Sequence, residues 1–126
     1  MEQSLFHDKY PVFSKTIAKS DTQYQSVDAI LNYLEDCINS NEKAVYIARF
    51  DHAAHTKNIN GEVAPDILEA KHIIFCFGMK LPVPQAMAVR PRSIGVTDMG
   101  ENFVVSFMEA PNPQAQEWMT EWVEAI

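Results

Sequence analysis

Residues 27 to 39, VDAILNYLEDCIN, carry Val27, Ile30, Leu31, Leu34 and Ile38 three or four positions apart. That spacing gathers the five side chains into one stripe of an α-helix. Ser26 stands where an N-cap belongs, Asp28 lies in the first turn where the helix dipole favours a negative charge, and Asn39-Ser40-Asn41 stops the helix. A helix this one-sided has to lay its stripe on another layer. A second amphipathic segment follows at the other end of the chain. Asn112 caps it, Pro113 opens it, and Ala115, Trp118, Met119, Trp122, Val123 and Ile126 line one face.

Short apolar runs make up what lies between and before. Residues 12 to 19 alternate loosely as a first strand. Residues 44 to 50 read as a second, with Tyr46, Ala48 and Phe50 on one side and Val45, Ile47 and Arg49 on the other. Residues 72 to 77, HIIFCF, form a third, 93 to 97 a fourth and 102 to 108 a fifth, with DMGEN as the hairpin turn between the last two. Pro65 is suited to open a short helical turn, PDILEAK, and the stretch from Met79 to Ser93, with three prolines, is irregular. The order β-α-β-β-β-β-α predicts a two-layer α+β domain: an antiparallel sheet with two helices packed on one face.

Size and charge bound the function. A chain of 126 residues with 47% apolar and 21% charged residues suits one domain, residues 1 to 126, with a core of its own. A net charge of −7 argues against a general nucleic-acid binder and against docking on anionic membranes. No apolar run approaches a membrane span and the N-terminus has no secretory pattern, so a cytoplasmic location is expected. Cys37 and Cys76 lack metal spacing and read as packed thiols. HExxH, CxxC and glycine-rich phosphate motifs do not occur, so no cofactor is expected. Met79, Met87, Met99, Met108 and Met119 suit gap filling better than haem ligation, and Trp118 and Trp122 suit core packing better than a binding platform.

Two places concentrate chemistry. The first is Asp51, His52 and His55, delivered by the end of the second strand in ARFDHAAHTKN. A histidine beside a carboxylate can act as a base or a metal ligand, and His52 and His55 would share a helical face. The plainer alternative makes Asp51 a cap on the following turn and His52 a sheet-edge residue. The second is the stretch from Lys71 to Arg92, which holds Lys71, Lys80, Arg90 and Arg92 and no Asp or Glu. Arg90-Pro91-Arg92 presents two guanidinium groups on a stiffened segment, suited to a carboxylate or phosphate unless acidic neighbours or a dimer partner neutralise them. The expectation is one shared pocket that takes a small anionic ligand between Asp51, His52, His55, Arg90 and Arg92. A metal-binding protein or enzyme built on Asp51, His52 and His55 is the alternative.

The runs VYIARFDHAAHTKN, HIIFCFG and VVSFMEAPNP together resemble the prokaryotic domain-of-unknown-function family numbered three hundred and two. The resemblance spans roughly residues 25 to 112 and is carried by Phe50-Asp51-His52-Ala53, Phe77-Gly78 and the strand leading to Pro111. Met79-Lys80 stands where that family has Asn-Pro, which marks a divergent or sister family. The resemblance implies a TATA-binding-protein-like α+β fold, a homodimer, and no agreed biochemical activity.

Overall fold

The computed structural model describes residues 1–126. One antiparallel sheet of six strands runs in the order β1-β2-β6-β5-β4-β3. Its strands are β1 (Glu2–Phe6), β2 (Tyr10–Ala18), β3 (Val45–Asp51), β4 (Glu69–Cys76), β5 (Arg92–Asp98) and β6 (Asn102–Met108). The helices are α1 (Val27–Asn39), α2 (His52–Asn58) and α3 (Pro113–Glu124). This is the α+β class expected, with one more strand and one more helix.

Register assigns the two faces. Ile17 lies opposite Phe103, Phe13 opposite Phe107, Val96 opposite Val105, and Ile73 opposite Ile94. Cross-strand partners share a face, so these residues form a single apolar surface. The stripe of α1 and the Ala115, Met119, Trp122 and Val123 side of α3 close over it. Eighteen of the nineteen buried residues belong to this one cluster. The remainder of the ladder, including Val12, Ile74 and Val104, faces the other way and stays half-buried, with Met108, Val45 and Phe50 exposed.

Local chemistry accounts for the helix limits. Ser26 accepts the Ala29 N–H at 3.0 Å and Asn112 accepts those of Gln114 and Ala115 at 2.9 and 3.2 Å. Both caps match expectation.

Four details differ from the sequence reading. β1 was not expected; all five of its residues are exposed, so no alternation of burial marks it. It is held by pairing with β2 through a turn in which His7 and Asp8 both take positive φ, 53° and 58°. Residues 65 to 71 do not form a helical turn, because Glu69–Lys71 extend β4 and pair with Asp98–Val96 of β5. A 3-10 segment, Pro84–Val89, orders part of the stretch read as irregular. A bulge between Tyr46 and Ala48 turns Arg49 to the helix-covered face, where it meets Asn32 and Glu35 of α1 at 2.8 and 3.4 Å. The simple alternation expected for this strand breaks at that bulge.

Candidate functional site

β4 serves as a ruler between the two sets of residues singled out by sequence. Asp51 pairs with Lys71 near one end of β4, and Arg92 pairs with Phe75 near the other. Four residues of strand separate them, about 13 Å at ~3.3 Å per residue. The single pocket expected to hold Asp51, His52, His55, Arg90 and Arg92 together therefore does not form. Antiparallel pairing sends the exit of β3 and the entry of β5 to opposite ends of the sheet.

At the first end Asp51 is the N-cap of α2; its carboxylate accepts the Ala54 N–H at 3.0 Å. His52 and His55 are exposed on α2, and the His52 Nδ1 lies 3.2 Å from the Thr56 hydroxyl. Phe50 sits among three imidazoles, with ring centroids 5.6 Å from His52, 5.5 Å from His55 and 6.2 Å from His72. His52 and His72 are 5.7 Å apart. Burial, and then the proximity of His52, pull the His72 imidazole below its ordinary value. No three of the His, Cys, Asp and Glu side chains are arranged to hold a metal ion. The arrangement is an aromatic cluster over the sheet margin, with Asp51 occupied as a cap.

At the second end the sheet margin, the 3-10 segment and the start of α3 enclose a cavity of about 260 Å³. Its apolar walls are Phe77, Ala86, Val89, Ala110, Pro111 and Ala115. Its polar groups are Arg90, Arg92, Asn112 and Cys76. Arg90 caps the 3-10 segment in an extended conformation. The Arg92 guanidinium donates to the Met108 and Val89 carbonyls, and its Nε is buried with no partner. Burial alone pulls this guanidinium below its ordinary value.

All 126 residues match the family of unknown function DUF6858. The chain belongs to DUF6858. No curated protein matches it. Among solved structures it is similar to the crystal structure of the uncharacterized conserved protein DUF302 from Bacillus stearothermophilus, with 9% identity, a TM-score of 0.55 and 90% of each chain covered. At that identity the likeness is one of fold. It agrees with the fold implied by the resemblance read from the Asp-His-Ala and Phe-Gly elements.

For this DUF6858 chain the electrostatics separate the two ends. Ion pairs engage Lys19 with Asp98, Arg49 with Glu35, Lys71 with Asp28 and Glu69, and the N-terminus with Glu124. Arg90, Arg92 and Lys80 take part in none of them. No ion pair within the chain neutralises either arginine, the plain alternative for the pair; Glu109 lines a further cavity with Arg92 but makes no salt bridge to it. Asn112 also faces the cavity, but its side-chain oxygen already accepts two helix N–H groups, so α3 contributes the positive end of its dipole there and few free donors. Sequence signalled Asn112 only as a cap. Phe77, Ala110 and Pro111 reach the cavity through sheet register and the β6–α3 connection, for which a single sequence carries no signal. No helix is long and apolar enough to cross a membrane.

Proposed function

We propose that this chain binds a small organic anion, a carboxylate or phosphate on an apolar body, in the cavity between Arg90, Arg92 and the start of α3. One observation carries this reading: a half-buried Arg92 with an unpartnered Nε and no ion pair within the chain, on the wall of an apolar cavity. A desolvated charge without a counter-charge is unfavourable, and a bound anion removes that penalty. The guanidinium fork suits two oxygens on one atom. The apolar walls suit the rest of such a molecule, and a volume of 260 Å³ limits it to a small one. His52 and His55 lie outside this reading.

Titration calorimetry with cyclohexanecarboxylate, hexanoate and inorganic phosphate tests it. Binding by wild type that is lost in Arg90→Gln/Arg92→Gln supports the proposal. Equal heats from both proteins reject it.

The same reading includes a second copy of the chain against the open sheet face. Half-buried Val12, Ile74 and Val104 and exposed Met108 and Val45 support it, since the layer of α1 and α3 lies on the opposite face and leaves them open to water. Light scattering that gives one chain's mass at micromolar concentration would remove the dimer and leave the anion site untouched.

A further inference from the structure

A second cavity of about 240 Å³ adjoins the first, and Phe77, Arg90, Asn112 and Ala115 line both. Its character differs. Where the first is walled mainly by small aliphatic residues, the second adds Trp118, Met79, Lys80 and Gln114. Trp118 stacks on Phe77 with centroids 5.3 Å apart and planes 28° apart, so the two rings form an aromatic step at the wall. Trp122, also stacked on Phe77 at 5.7 Å, is only 9% exposed and anchors the step in the core. Trp118 remains half-buried at the cavity. Met79, 62% exposed, flanks the site with a soft, adaptable side chain.

Charge follows the same division. No Asp or Glu lines either cavity, in a chain of net charge −7. Arg92 lines the first cavity and also a further one that includes Glu109, Lys80 lines the second, and Arg90 lies on the wall the first two share. None of the three is in an ion pair. Each cavity alone is smaller than the ~300–1,000 Å³ of typical ligand sites, and the joined pair falls inside that range.

We infer that the ligand is a planar aromatic dianion: one anionic group lies between Arg90 and Arg92, the ring system lies against the Trp118–Phe77 step, and a second anionic group meets Lys80. The inference rests on the anion-binding reading of Arg90 and Arg92. An aliphatic arm would gain only burial from the second cavity. A flat ring also gains the stacking increment of an aromatic pair, about 2- to 12-fold in affinity.

The test uses titration calorimetry on the full chain with four probes: cyclohexanecarboxylate, decahydro-2-naphthoate, 2-naphthoate and 2,6-naphthalenedicarboxylate. The expected order has 2-naphthoate about 2- to 12-fold tighter than its saturated analogue, with the dicarboxylate tighter still. Trp118→Leu should abolish the preference for the flat ring. Lys80→Met, on an exposed position that does not support the core, should abolish the gain from the second carboxylate, so that this variant binds the dicarboxylate no tighter than 2-naphthoate. If flat and saturated monoacids bind equally and the second carboxylate adds nothing, the aromatic dianion is overturned and the anion site at Arg92 stands. If no probe binds, both fall together.

Discussion

Replacing Arg92 with Met separates the two things this side chain does. In the unliganded protein it donates to the Met108 and Val89 carbonyls, which holds the start of β5 against the end of β6 and the 3-10 segment. Against that stands a guanidinium pulled out of water with no ion pair and an orphaned Nε. Met keeps most of the apolar stem, removes both bonds and removes the charge. These changes oppose one another, and a net effect within about 1 kcal/mol follows. For 126 residues the unfolding entropy is about 0.26 kcal/mol per kelvin, so the free variant should melt within about 4 °C of wild type. With an anion present the outcome differs. At a hundredfold excess of anion over its Kd, wild type gains about 2.7 kcal/mol, roughly 10 °C in Tm. Loss of one charge-assisted contact of about 2 kcal/mol weakens binding ~30-fold. At the same anion concentration Arg92→Met then gains only about 0.9 kcal/mol, near 3 °C. Differential scanning fluorimetry with the tightest-binding carboxylate reads this directly. Identical anion shifts in the two proteins would refute the argument that Arg92 is held uncompensated for a ligand.

Asp51→Ala removes the cap of α2 and should lower stability by about 1 kcal/mol, near 4 °C in Tm, while anion binding at the other end of the sheet stays unchanged by calorimetry. The His72 imidazole is lowered in the folded state, so below the ordinary value of 6.5 the unfolded chain binds the extra proton first. Its contribution to stability is therefore complete above pH 6.5 and is lost as pH falls through the folded value; urea titrations between pH 7 and 5 should show a slope that flattens in His72→Gln. Phe75 is fully buried and packs 5.7 Å from Trp122 and 5.5 Å from Phe77, so Phe75→Ala should cost about 3–5 kcal/mol in chemical denaturation; a loss below 1 kcal/mol would contradict the assigned core face.

The helices were the most legible part of the chain. In α1 every predicted stripe residue is buried, and Ser26 caps it, because a 3.6-residue period and its cap are both local signals. Residues 102 to 108 matched β6 for the same reason: Phe103, Val105 and Phe107 alternate and only one face is covered. β1 left no such signal because its exposure is uniform. The bulge in β3 was invisible as well, and it decided that Arg49 meets Glu35 on α1 instead of sharing a face with Val45. At the sites, residue type was legible and company was not. Asp51 could be read as a cap, and Arg90-Pro91-Arg92 as an acid-free basic segment. That Asp51 lies opposite Lys71 while Arg92 lies opposite Phe75 depends on pairing between strands far apart in the chain.

The sequence by itself determined the elements whose causes are local: the periodicity of α1 and α3, their capping residues, the alternation in β6, and a run of cations without acids before β5. Only the tertiary structure decided which of these meet. Strand pairing sets which side chains share an end of the sheet. Those pairings give Arg92 an apolar cavity and no ion pair, and they leave the histidines around Phe50 at the far end.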